Sequence, residues 1–193
     1  MDALAQFIDA LKLQQPLIYG SATGAQIGIE FAKAYPEKLS ALVLENAASF
    51  SDQEREKIMT QYFPDLSARD NGEHLSIAWS MAKKLYVGFP WFEVNDQTSA
   101  IPLELVQKTV LDYLKAGDQY DQAYRAAFAN ERVEQLQTVT SDTHIILWSG
   151  SILAAYSKRL LHTNLADNFY FHSVDGDIKQ RYQTVLTTVQ ALL

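Results

Sequence analysis

Three groups of residues carry the chemistry this sequence could offer. The first is Gly20-Ser21-Ala22-Thr23-Gly24, two hydroxyls around an alanine, closed by glycines. Glycines at both ends of so short a turn let a strand pass sharply into a helix and put the middle residue at the tip. A nucleophile held at such a tip, next to a base, performs acyl transfer. The tip here is Ala22, whose methyl can neither attack nor donate. Ser21 and Thr23 flank it. A frame with Ser21 at the tip would put Tyr19 and Thr23 where the glycines are needed, so both hydroxyls read as partners of a tight turn. The second group is Asp175-Gly176-Asp177, where a carboxylate could activate water as a general base. Two aspartates around a glycine ahead of a helix are also ordinary turn and helix-start residues. The third group is the four histidines, His74, His144, His162 and His172. None has a partner at metal-ligand spacing, so they read as structural or surface residues, and no metal or cofactor is expected.

The elements that must position these residues follow from periodicity. Leu4, Phe7, Ile8 and Leu11 mark a first helix. Pro16 to Tyr19 is a short buried strand, and the residues from Ala25 to Tyr35 are helical, with Ala25, Gly28 and Ala32 as a small-residue face. Pro36 stops that helix. A second apolar strand is centred on residues 41–44, and Glu45 reads as a polar residue at its end. Continuous apolar strands joined by a helix imply parallel pairing with both faces covered. From Ser51 to about Val133 only helical patterns recur, at 52–62, 73–86, 102–115 and 118–129. Strands at 143–148 and 168–174 alternate with helices at 154–161 and from Ile178 onward. The order predicts an α/β fold: a parallel sheet with helices on both faces, residues 1–50 and 134–193, interrupted by a helical insertion at 51–133. The aromatics of the insertion predict its core, and Trp79, Trp91 and Phe92, with Ser21 and Thr23, are candidates to line a pocket for a small apolar ligand.

Composition narrows the function classes. The 193 residues carry 16 Lys and Arg against 23 Asp and Glu, a formal charge of −7, which argues against a nucleic-acid partner. No cysteine is present, which excludes disulfides, thiolate metal sites and a cysteine nucleophile. The acidic amphipathic start is unlike a signal peptide, and no stretch has the ~18 apolar residues of a membrane span, so a cytoplasmic protein without a membrane partner is expected.

Two resemblances compete for the turn. Thr23-Gly24-x-x-x-Gly28-Ile29 resembles the nicotinamide-dinucleotide loop of short-chain dehydrogenases, but its last glycine is replaced by Glu30, and no tyrosine is followed four residues later by lysine. The second covers nearly the whole chain. The segment "DALAQFIDALKLQQPLIYGSATGAQIGIEFAKAYPEKLSALVLENAA" resembles the central part of α/β-hydrolases: the helix and strand before the nucleophile elbow, the elbow itself, its helix and the next strand. "THIILWSG" and "NFYFHSV" fall where that family's last two strands lie, and the helical insertion falls where its cap lies. "GEHLSIAWSMAKKLYVGFPWF" and "YDQAYRAAFA" are similar to a bacterial subgroup with a G-S-H-T-G-A elbow.

The resemblance implies a nucleophile at Ala22, an acid near Ser151 in "LWSGSILAAYSKR", and a base at Asp177, where the family has Gly-His. None of the three carries the usual residue. Glu45 matches the position from which some members take the acid. Thr23 would give one oxyanion N–H, while the loop giving the other, with the first strands, lies upstream of the residues matched here. The expectation is a degenerate α/β-hydrolase, truncated at its N-terminal strands, without triad hydrolysis. The alternatives are a hydrolase using Asp175 or Asp177 and a nicotinamide-dependent enzyme. Without those strands, residues 16–19 become an apolar sheet edge, expected to be covered by the first helix, a second copy or another chain.

Overall fold

A computed structural model describes residues 1–95 and 101–193. Strands β1 (Ile18–Ser21), β2 (Leu42–Glu45), β3 (Thr143–Trp148) and β4 (Phe169–Val174) form a parallel sheet in the order β1-β2-β3-β4. Ser21, Glu45, Ile146 and His172 share one row across it. β2 is buried along its whole length, as its unbroken apolar run requires of an interior strand.

Helices cover both faces. On one lie α1 (Asp2–Ala10) and α2 (Thr23–Ala34), with Ala5, Ile8, Ala25, Ile29 and Phe31 packed among Leu42, Leu44 and Ile145. The small-residue face of α2 sets its distance: a Cβ on Gly28 would lie 2.9 Å from Leu42 Cδ1. On the other face α9 (Ile178–Ala191) packs Val185, Val189 and Leu192 against Val43, Ile146 and Val174. No strand pairs with the outer side of β1 among the described residues, and Tyr19 there is 44% exposed.

The chain divides into two compact units, Met1–Phe50 with Asn130–Leu193, and Ser51–Ala129. In the second lie α3 (Asp52–Gln61), α4 (Glu73–Leu85), α5 (Leu103–Ala116) and most of α6 (Gln122–Asn130). Ser51 and Glu54 close a capping box at the start of α3, satisfying two otherwise free N–H groups. Ala78, Met81 and Ala82 of α4 pack against Val106 and Val110 of α5. The Tyr62 ring stands 5.1 to 5.4 Å from those of Phe63, Phe89 and Phe128. The continuous helix expected at 118–129 is instead a 3-10 turn, Gly117–Gln119, followed by α6, and Gly117 at φ 70° ends α5. The helix expected at 154–161 is one α turn, α8 (Ala154–Ser157), that tightens into 3-10 geometry. A short helix, α7 (Val133–Leu136), precedes β3 and has no counterpart in the expected elements.

Candidate functional site

The turn between β1 and α2 has the geometry its glycines imply. Ala22 sits at φ 51° and ψ −116°, a conformation that costs a non-glycine residue roughly 1–3 kcal/mol unless its surroundings impose it. They do. A Cβ on Gly20 would come within 2.3 Å of the Gly24 carbonyl oxygen, so the first turn of α2 crosses directly over the strand. The Ala22 N–H donates to the Glu45 carbonyl at 3.0 Å, and its own carbonyl accepts from the N–H groups of Ala25 (2.9 Å) and Gln26 (3.3 Å). The backbone holds the tip as a nucleophile would need it, and presents a methyl. Ser21 does not substitute. Its Oγ accepts from Asn46 Nδ2 at 3.3 Å, so it is tied to a neighbouring side chain, where the sequence suggested a backbone bond.

The positions implied for acid and base are occupied by turn chemistry. Ser151 Oγ accepts from the Leu153 N–H at 3.0 Å. Asp177 is the N-cap of α9: Oδ1 accepts from the N–H groups of Lys179 (2.9 Å) and Gln180 (3.0 Å), and Gln180 Oε1 accepts from the Asp177 N–H. Gly176 before it is fixed by Trp148 Nε1–H, which donates to its carbonyl at 2.9 Å. Asp175 and Asp177 are both exposed.

Glu45 corrects its reading as an ordinary strand-end residue. It is fully buried and accepts from Arg181 Nε and Nη2, both at 2.5 Å, and from Tyr19 Oη–H at 2.8 Å. Burial alone would raise its pKa. The hydrogen bonds from Arg181, and then from Tyr19, outweigh burial and hold the carboxyl below its usual range. Tyr19 is pushed up, first by burial and then by the Glu45 carboxylate. Arg181 also lies over the rings of Trp148 and Tyr182.

His144 Nδ1 and His172 Nε2 are 2.9 Å apart, a pairing across β3 and β4 that their sequence separation hides, and the His144 ring stacks on Tyr170 at 4.7 Å. Burial lowers both pKa values, and for His144 the neighbouring His172 adds to it. His172 shares a row with Ser21, but three strand spacings, roughly 14 Å, separate them. His74 Nδ1 accepts from the Arg69 N–H at 3.1 Å in the helical unit. Among the described residues no group of three His, Cys, Asp or Glu side chains could hold a metal ion.

Glu131 carried no signal in the sequence, where it stands between Asn130 and Arg132 like a solvated residue. It is 3% exposed, its Oε2 has no hydrogen-bond partner among the described residues, and burial pushes its pKa up to about 8. The candidate pocket residues of the helical unit pack locally: Trp91 Nε1–H donates to the Tyr62 carbonyl at 2.9 Å, and Phe92 stands 6.1 Å from Trp91. Trp79 is partly exposed. A cavity of about 230 Å³ within that unit is lined by other residues, among them Phe63, Asp65, Asp118, Tyr120, Asp121 and Arg125. The dinucleotide frame gains no support from the sheet. Its strand order runs in one direction, without the reversal that opens a dinucleotide crevice in doubly wound folds.

No protein-family model matches the chain. A Bacillus subtilis (strain 168) protein named as a 2-succinyl-6-hydroxy-2,4-cyclohexadiene-1-carboxylate synthase is 35% identical over 80 residues, which span 39% of this chain and 29% of that protein. Among solved structures, an α/β-hydrolase enzyme from a Medee basin deep-sea metagenome library aligns with all of this chain and 68% of its own, at TM-score 0.59 and 18% identity. A structure from work on carboxylesterases of the thaumarchaeon Nitrososphaera gargenis aligns with 99% of this chain and 70% of its own, at TM-score 0.66 and 14% identity. The meta-cleavage product hydrolase of Pseudomonas fluorescens IP01 aligns with 97% and 68%, at TM-score 0.59 and 20% identity. The fold is that of α/β-hydrolases, truncated relative to these chains. Among the described residues no helix is long and apolar enough to cross a membrane.

Proposed function

We propose that this chain is an α/β-hydrolase scaffold that acts by binding a small apolar ligand and not by triad hydrolysis. One observation carries the reading. At Ala22 the strained elbow backbone is retained while the side chain that would use it is a methyl. The other two positions reinforce it, because Ser151 and Asp177 spend their polar atoms on the backbone of their own turns. The ligand-facing candidates are Trp79, Trp91 and Phe92 in the aromatic-rich helical unit and Ser21 and Thr23 at the elbow.

The experiment pairs turnover with binding. Hydrolysis of p-nitrophenyl butyrate by the chain is expected to stay at the buffer blank. It is expected to stay there in Ala22→Ser as well, because His172, in the same row as Ser21, lies three strand spacings away. The binding arm measures the melting temperature with 4-phenylbutanol as the probe. A concentration-dependent rise is expected, and a smaller one in Trp79→Ala. Turnover by the unmodified chain, or no stabilisation by the probe, overturns the proposal.

A further inference from the structure

His144 and His172 meet end to end. Their nitrogens Nδ1 and Nε2 are 2.9 Å apart, the ring planes are inclined by 17°, and the ring centres lie 5.2 Å apart. That separation is the nitrogen-to-nitrogen distance plus the radius of each ring, so the rings lie nearly in one plane and point at each other. This is the geometry of an N–H···N hydrogen bond, in which one neutral imidazole donates and the other accepts.

Side chains alternate along a strand, so His144 shares a face with Ile146 and Trp148, and His172 with Tyr170 and Val174. On that face Val185, Val189 and Leu192 of α9 pack. α9 follows β4 after a short turn and runs back over the sheet, so its later residues lie toward the strand starts, where the pair stands. The charged and titratable groups around the pair come from each neighbouring element. Asp142, just before β3, favours charge on His144. Tyr170 of β4 stacks on the His144 ring, and Asp167, before β4, is exposed. Glu45 of β2 shares a row with His172 two strands away and is already paired with Arg181 of α9. From Gln183 to Ala191, α9 has no titratable side chain.

We propose that this pair is an acid-operated latch, which ties the side chains of β3 and β4 together beneath the last turns of α9 and opens when it takes up a second proton. The neutral pair holds one N–H···N bond. One added proton converts it to N–H⁺···N, which is charge-assisted and keeps the contact. A second added proton leaves hydrogen on both facing nitrogens. Neither can then accept, and two positive rings stand in contact, so the bond breaks. The protons therefore bind in two separate steps that belong to the pair and not to either ring. Burial lowers the proton affinity of both rings, and for His144 the facing ring adds to it. With both pKa values lowered from 6.5, the contribution of the pair to stability is complete above that value and is lost as pH falls below it. The backbone ladder between β3 and β4 does not titrate, so the side-chain layer under α9 is what opens.

Nuclear magnetic resonance of the isotope-labelled full chain between pH 8 and 4 tests the proposal. A nitrogen–nitrogen coupling between His144 Nδ1 and His172 Nε2 is expected at pH 8, persisting through the first protonation and vanishing with the second. The two steps are expected to differ at least tenfold in proton affinity. Across the second step the exchange protection of the Thr188 and Val189 amides is expected to fall at least tenfold. His172→Gln keeps a hydrogen-bonding group toward His144, removes one titrating ring and leaves every carboxylate in place, so there the fall is expected to stay under twofold. Absence of the coupling, two titrations that coincide, or an equal fall in the variant overturns the proposal. Should the variant fail to fold, the coupling and the two titrations of the unmodified chain decide alone.

Discussion

Glu45 and Glu131 are buried to nearly the same degree in the same unit, at 0% and 3% exposure, yet they are opposite in kind. Glu45 meets a guanidinium and a phenol, and its carboxyl is held below its usual pKa. Glu131 has one carboxyl oxygen without a partner, and burial alone raises it to about 8, so it is protonated at neutral pH. Burial sets the penalty for charge, and the partner decides whether the charge survives. Position matters as much. Glu45 lies beside the elbow, where its carbonyl holds Ala22, and Arg181 lies one turn beyond the Asp177 cap. The ion pair therefore links the two turns from which a hydrolase would draw its nucleophile and base.

Removing Arg181 is the sharpest way to break the contrast, because it leaves Glu45 buried and unpaired like Glu131. Arg181→Ala is expected to cost about 3–5 kcal/mol in urea unfolding at pH 7. If the loss stays under 1 kcal/mol, solvent reaches Glu45 and the contrast fails. Glu131→Gln tests the other side. The Glu131 pKa is raised in the folded chain, so its contribution is fully present below the unfolded value of 4.5 and is lost as pH rises through about 8. Holding that proton at pH 7 costs roughly 3 kcal/mol, which the glutamine variant is expected to recover, flattening the fall in stability between pH 5 and 8. Glu45, with its pKa lowered, acts in the reverse sense: its contribution is present above its unfolded pKa and is lost as pH falls below it.

Smaller effects distinguish the two turns. Asp177→Ala removes two side-chain bonds to the start of α9 and is expected to cost about 1 kcal/mol by thermal unfolding. Ala22→Gly relieves positive-φ strain and is expected to gain up to about 1 kcal/mol after the entropic cost of glycine. Destabilisation by Ala22→Gly would show that Ala22 is not strained by its φ.

Much of the fold was legible because its signals are local. Thr143–Trp148 was marked by the apolar run Ile145–Trp148, and α3, α4 and α5 by the 3.6-residue period with a proline or glycine near their ends. The elbow was legible because the approach of Gly24 to Gly20 tolerates no side chain at residue 20. The site was less legible because its decisive contacts join residues far apart in the chain. Arg181 carried no local mark of its partner Glu45, and His144 and His172 read as separate structural or surface residues. Glu131 had no local mark of burial.

The sequence by itself determined the alternation of strand and helix, the tight turn at Ala22 and the absence of a nucleophile there. All three depend on the types of residues within a few positions of one another. The tertiary structure decided the charge states of Glu45 and Glu131, the pairing of His144 with His172, and the exposure of one edge of the sheet. Those depend on which distant residues share a row or a helix crossing, and on how much water the packing leaves between them.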